Sequence, residues 1–364
     1  MRDAVIHGGN MWEIAEHYRV PVESLIDFSA NINPRGLPTG AMQRLQRDTG
    51  NPDLITRYPD PSCAALRRVL AERDGISPDA VLIGEGAEAL IGVTLHAIRP
   101  VRCLLPIPAF GEYTRACALT GTKVESFQLD SCNGFVLDVH SFAQQVSSTA
   151  CDCAILNNPH NPTGALMRKQ TVIDLIERIR AAGAFVLLDE AFIDYAPEES
   201  VISYASATPG VVVIRSLTKF FGCPALRVGY AVGLPETLRQ ITRALPTWPV
   251  TIFAANALEV AIQDREFAAQ SLRANEEERD ALARSLKELG AHVTPSSANF
   301  LLIQLEEQWA DSNSTREHLI CRHRIVVRDC NSFTGLEKDR YIRVAVRSKR
   351  DNGQLLSGLR ELWH

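Results

Sequence analysis

Between residues 80 and 214 short apolar runs alternate with stretches of helical periodicity, and few folds accommodate that rhythm. Runs at 80–83, 101–105, 153–156, 184–188 and 211–214 read as strands, with helices expected at 89–98 and about 168–182. Such alternation builds an open α/β sheet. The 184–188 run, apolar throughout, has the pattern of a central parallel strand. Ligands bind such sheets at the carboxyl ends of the strands, so the residues just past each run are the candidates.

Past residue 214 the chain turns polar as Arg215-Ser216-Leu217-Thr218-Lys219, and Arg227 follows on the edge of a second apolar run, 226–232. A lysine amine that can form an imine, with Ser216, Thr218 and a cation to hold a phosphate, is what pyridoxal 5'-phosphate requires. A solvated turn with two ordinary basic residues is the plainer account of the same stretch. The other strand ends add parts. Gly84-Glu85-Gly86-Ala87-Glu88 opens a helix, so the backbone of Gly86 and Ala87 offers N–H groups at a positive helix end. Phe110 and Tyr113 are each either a core ring or a ring stacked on a planar cofactor. The loop Asn157-Asn158-Pro159-His160-Asn161-Pro162-Thr163-Gly164 holds several amides able to donate to a phenolate oxygen. Asp189, at the end of a buried strand, is either a helix cap or a site carboxylate. Against a pyridine nitrogen such a carboxylate keeps the ring protonated, ready to accept electrons from a bond broken at Cα.

The chain has 364 residues, enough for about two domains, and its 46% hydrophobic and 22% charged residues are an ordinary globular balance. A net charge of −5 supplies no basic field, which argues against a nucleic-acid partner. The nine cysteines are scattered without a Cys-x-x-Cys pair, so reduced thiols are expected, with neither a disulfide framework nor a metal site. There is no signal-peptide core at the start and no run of roughly 18 apolar residues, so the expected compartment is the cytoplasm, without a membrane span.

The two ends of the chain differ from its middle. Residues 1–38 read as a short helix at 12–18 and then an extended, turn-rich strip, 28–36, that lies across another part of the molecule. Helices are expected at 39–49 and 62–74, on either side of the polar loop Arg57-Tyr58-Pro59-Asp60. Beyond 250 a helical region, 252–289, precedes strands at 299–305, 325–327 and 341–346, a helix near 314–323 and a terminal helix. Alternation along 341–346 places Arg343 and Arg347 on one face, either an exposed cationic strip or an anion site.

The segments His7-Gly8-Gly9-Asn10, Asp27-Phe28-Ser29-Ala30-Asn31-Ile32-Asn33-Pro34, Arg57-Tyr58-Pro59-Asp60, Asn161-Pro162-Thr163-Gly164, Asp189-Glu190-Ala191-Phe192, Arg215-Ser216-Leu217-Thr218-Lys219-Phe220 and Arg343-Val344-Ala345-Val346-Arg347-Ser348 span nearly the whole chain. In them the sequence resembles the fold-type I pyridoxal-phosphate enzymes of the aspartate aminotransferase superfamily. Within the branch that holds histidinol-phosphate aminotransferase, it is most similar to the L-threonine O-3-phosphate decarboxylases of cobalamin synthesis. The resemblance implies an N-terminal arm at 1–38 packing with the small domain, a large cofactor-binding domain at 39–250 with a mostly parallel central sheet, and a smaller α+β domain at 251–364. It makes Lys219 the imine lysine, Asp189 the partner of the pyridine nitrogen and Asn161 the donor to the ring oxygen. Ser216 and Arg227, with the backbone of Gly86 and Ala87, become phosphate ligands. Phe110, or Tyr113 in its place, stacks on the ring, and Tyr58 reaches into the partner's site in a homodimer. Arg343 binds the substrate carboxylate; Arg347, His7, His160 and Asn33 are further substrate-binding candidates. Many aminotransferases carry a tyrosine where Phe192 stands, which speaks against ordinary transamination. The expected activity is decarboxylation of L-threonine O-3-phosphate, with transamination of histidinol phosphate or a related amino-phosphate as the alternative.

Overall fold

The computed structural model describes residues 8–363. After a first short strand, β1 (Ile26–Asp27), the chain lays down seven strands of one sheet: β2 (Val81–Gly84), β3 (Arg102–Ile107), β4 (Lys123–Gln128), β5 (Cys153–Asn157), β6 (Phe185–Asp189), β7 (Val211–Ser216) and β8 (Gly229–Gly233). Their spatial order is β2-β8-β7-β6-β5-β3-β4, and only β8 runs antiparallel to its neighbours. The central strands are buried at every position but Phe185, at the start of β6, because helices cover both faces. The period of two decides which side each residue serves. Ala154, Leu156, Val186 and Leu188 pack with Phe142, Val172 and Ile176 from helices Val139–Ser148 and Lys169–Ala181. Cys153, Ile155, Leu187 and Ile214 meet Leu90, Leu95 and Cys117 from helices Gly86–Ile98 and Gly111–Thr120 on the other side.

A second, antiparallel sheet orders β9 (His292–Val293), β10 (Phe300–Gln304), β12 (Arg328–Asp329) and β13 (Tyr341–Ala345) as β12-β13-β10-β9. Helices Ser312–His323 and Lys349–Trp363 cover it through Leu319, Leu355 and Leu359. The expected helical region 252–289 is two helices, Ile252–Gln263 and Arg265–Glu288, divided at Asp264, whose side chain accepts from Phe267 N. Their packing does not break at 250/251. Ala254, Leu258 and Phe267 join the core of Leu66, Leu70 and Tyr230, whereas Leu282 and Leu286, on the far half of the second helix, join the core of the small sheet. A helix of 24 residues is long enough to serve two cores.

The N-terminal strip threads between these units. β1 pairs in parallel with β11 (Ile325–Val326), Phe28 is fully buried in the second core, and its carbonyl accepts from Ala345 N. Farther on, Asn33 N donates to the carbonyl of Lys219 at 3.0 Å. Among the described residues, no helix is long and apolar enough to cross a membrane.

Candidate active site

The carboxyl ends of β5, β6 and β7 open into a cavity of about 280 Å³ that the small sheet closes from the opposite side. Asp189, Asn157 and Ser216 are the last residues of their strands, and Lys219 lies on the short helix Leu217–Phe220 that follows β7. The sheet register places Asn157 beside Asp189, and Asn157 Nδ2 donates to the Asp189 carbonyl at 2.8 Å.

Asp189 is buried, and burial raises its carboxyl above the ordinary range although Tyr113, Ala191 N–H and Lys219 each work to lower it. Tyr113 Oη donates to Oδ2 at 2.6 Å and Ala191 N to Oδ1 at 2.8 Å. Tyr113 therefore buttresses Asp189 from within the core, where it is 2% exposed, while Phe110 lines the cavity and meets the Tyr113 ring edge-on at 5.6 Å. That leaves Phe110 as the stacking candidate of the two. Lys219 is half-buried in the wall, and desolvation, then Arg343 and Arg227, bring its amine down to about 8.

One end of the cavity is a phosphate cradle. Helix Gly86–Ile98 points its N-terminus inward, and Gly86 has φ +80°, where only glycine is unstrained. A Cβ there would also stand 3.1 Å from Arg227 Nη2. Ser216 Oγ, at the end of β7, and Thr218 Oγ1, on the short helix that follows, lie 2.9 Å apart. Helix N–H groups, two hydroxyls and a guanidinium fit a phosphate dianion. A buried carboxylate wanting a cation fits a protonated ring nitrogen, and a near-neutral lysine fits a carbonyl carbon, so the donor set as a whole suits pyridoxal phosphate.

The opposite wall holds two arginines, both 6% exposed. Arg328 on β12 pairs in register with Arg343 on β13, so both side chains leave one face of the sheet, and both guanidiniums lie over the Phe333 ring, at 5.4 and 5.8 Å. Arg343 donates to Asn161 Oδ1 and to the Ser29 carbonyl, and its Nε has no hydrogen-bond partner among the described residues. It has no carboxylate partner among them either, and burial pulls it down to about 10. Phe192 lines the same cavity with its ring edge-on to Phe300 at 5.0 Å, and brings no hydroxyl.

The cavity gathers Lys219, Asp189, Asn161, Gly86, Ala87, Phe110, Ser216, Arg227 and Arg343 of the expected residues. Asn33 and Arg347 lie elsewhere. Asn33 Nδ2 is taken by the Phe220 carbonyl and Ser271 Oγ, and Arg347, beyond the end of β13 where strand alternation stops, binds Asp351 and the Asp27 carbonyl. His160 faces a separate small pocket with Nδ1 on Thr163 Oγ1 at 2.8 Å, and burial lowers its imidazole to about 4. Tyr58 stands 76% exposed, stacked on Trp248 at 4.1 Å and outside the cavity of its own chain. His7 lies outside the described residues. Sequence reasoning missed Arg328, Ser29, Asn31 and Phe333, all in the wall. A cationic residue five positions before a phenylalanine carried no recognisable signal on its own.

Residues 23–359 match the model of the family described as aminotransferase class I and II. The chain is 33% identical to the threonine-phosphate decarboxylase of Salmonella typhimurium over 98% of its length and 96% of that protein's. It is 27% identical to the histidinol-phosphate aminotransferase of Methanococcus aeolicus over 99% and 95% of the two chains. In fold it superposes with TM-score 0.86 on histidinol-phosphate aminotransferase from Sinorhizobium meliloti in complex with pyridoxal-5'-phosphate, at 19% identity and covering 98% and 95% of the two chains.

Proposed function

The chain belongs to the class I and II aminotransferase family and takes pyridoxal 5'-phosphate as cofactor, and from that premise we propose that it decarboxylates a small phosphorylated amino acid, L-threonine O-3-phosphate, to an aminopropanol phosphate and carbon dioxide. What carries the reading is the register pair Arg328–Arg343: two buried guanidiniums on one face of one wall, suited to a substrate with two anionic groups. Arg343, beside Asn161 and nearer the cofactor lysine's field, takes the carboxylate; Arg328, with Ser332 Oγ at 2.5 Å, takes the phosphate.

The cofactor, when bound, supplies a carbonyl for the substrate amine and an electron sink for a bond broken at Cα. The protein supplies position and protons. Asp189, itself fixed by Tyr113 and Ala191 N–H, would hold a proton on the cofactor's ring nitrogen. Lys219, whose amine lies at about 8, can both take up a proton and return it to Cα. Anchoring both ends of the substrate would fix its rotation about Cα and so select which bond at Cα is poised to break. Each charge-assisted contact is worth about 1.5–3 kcal/mol, more than rotation about a single bond costs. The Tyr58–Trp248 stack is an exposed aromatic pair suited to reach a partner's cofactor phosphate, so the working form is a homodimer with shared sites.

The test is to incubate the holoenzyme with L-threonine O-3-phosphate, with and without 2-oxoglutarate, and follow carbon dioxide, amine and glutamate. Carbon dioxide released without a keto-acid acceptor is the expected result. Turnover that requires 2-oxoglutarate and yields glutamate assigns the chain to transamination instead.

A further inference from the structure

Far from the cleft, helices Ser312–His323 and Lys349–Trp363 pack against each other on the outer side of the small sheet. Where they meet, His318, His323 and Glu361 converge, with their ligand atoms all within 4.8 Å of one another. His323 Nε2 is 3.2 Å from Glu361 Oε2, and His318 Nε2 is 3.9 Å from Oε1. Both Nε2 atoms are shielded from solvent and have no hydrogen-bond partner among the described residues. Two ring nitrogens shielded from solvent, facing one carboxylate yet without a hydrogen-bond partner among the described residues, need an explanation.

We propose that His318, His323 and Glu361 bind a zinc ion that staples these two helices together. Two imidazole nitrogens and one carboxylate are ligands that zinc accepts and that magnesium or calcium, which prefer oxygen, do not. The separations are close to those of groups sharing a four-coordinate ion, and the half-exposed Glu361 leaves the fourth position to water. The backbone supports the same reading independently. A Cβ at Gly358 would stand 2.9 Å from His323 Cδ2 and 2.8 Å from Leu319 Cδ2, so a glycine lets the imidazole lie directly on the facing helix. His318 and His323 fall within the His-x(3–5)-His spacing of zinc ligands, but no Cys-x-x-Cys pair accompanies them and the third ligand lies far downstream, so no metal was expected from the sequence. One helix leads into β11 and β12 and the other follows β13, so the ion would fix the frame of the strand pair that carries Arg328 and Arg343.

The experiment uses tag-free holoenzyme freed of metal by dialysis, titrated with zinc against a chromogenic chelator, and melted with and without zinc. One ion per chain with a Kd of roughly 10 µM or tighter, and a Tm that rises with zinc, are expected. Glu361→Gln, a surface change that folding tolerates, should weaken binding at least tenfold, and His318→Asn/His323→Asn should abolish it. Cobalt in place of zinc should give weak visible bands without the intense near-ultraviolet absorption of a thiolate ligand. No saturable binding in that range, binding unchanged in Glu361→Gln, or a thiolate band would each overturn the proposal.

Discussion

Two buried arginines, one on each side of the molecule's cleft, have opposite surroundings. On β7, Arg215 is held by Asp194 at 2.6 Å and Glu190 at 3.2 Å, with Asp74 and Tyr230 close by. Although burial opposes its charge, Asp194, Tyr230 and Glu190 carry the guanidinium well above its ordinary value. In the cavity wall, Arg343 has an amide oxygen, a carbonyl and the faces of Phe300 and Phe333, and burial wins. One charge is compensated within the fold, the other awaits a ligand. The contrast teaches which buried charges belong to the scaffold and which to the chemistry.

The comparison makes its largest demand on the compensated side. Arg215→Met strands Glu190 and Asp194, so it should cost about 3–5 kcal/mol in denaturant unfolding. A loss below about 1 kcal/mol would mean that the network is not what holds this side together. His160 tests the same logic without a partner charge. Its folded pKa of about 4 lies below the ordinary 6.5, so the stability is fully present above pH 6.5 and drains away as pH falls to about 4. The loss should approach about 3 kcal/mol, and it should vanish from the pH profile of His160→Gln.

Arg343→Met reverses the pattern. Replacing an uncompensated buried charge by an apolar chain should leave unfolding within about 1 kcal/mol of the parent, yet lower kcat/KM by roughly a hundredfold. A variant that loses stability and activity together would erase the distinction between the two arginines. The smallest effect belongs to Lys219. Its amine is brought to about 8 by burial and two nearby guanidiniums, and it must be neutral to attack. Cofactor uptake by the metal- and cofactor-free chain should therefore quicken as pH rises through about 8, and in Arg343→Met the midpoint should move upward. Borohydride should fix the cofactor to Lys219 and to no other lysine.

These two sides also differ in how much of them the sequence disclosed. Lys219, Asp189 and Asn161 each lie at or just past the end of a strand whose apolar run is readable, and parallel register aligns those strand ends without further information. Arg328 became a site residue only because a two-residue strand pairs with β13 in one particular register. Two-residue strands leave no period to detect, and β4, a partly exposed edge strand, went unnoticed for a related reason. Tyr113 was ambiguous because a ring that buttresses a carboxylate and a ring that stacks on a ligand have the same composition and nearly the same place in sequence. Arg347 lies outside the cavity because the strand, and with it the alternation, ends at Ala345.

The threading of the N-terminal strip has a consequence for the order of events during synthesis. Ile26 and Asp27 leave the ribosome early, but the strand they pair with ends at Val326, and the N–H that Phe28 serves belongs to Ala345. The large sheet can gather its helices as they emerge. The cleft cannot close until translation is almost over, and until then the aromatic ring of Phe28 has no core to enter. Nascent chains stalled near their final hundred residues should thus present a formed lysine-bearing sheet with an open, unfinished entrance, a natural target for chaperones.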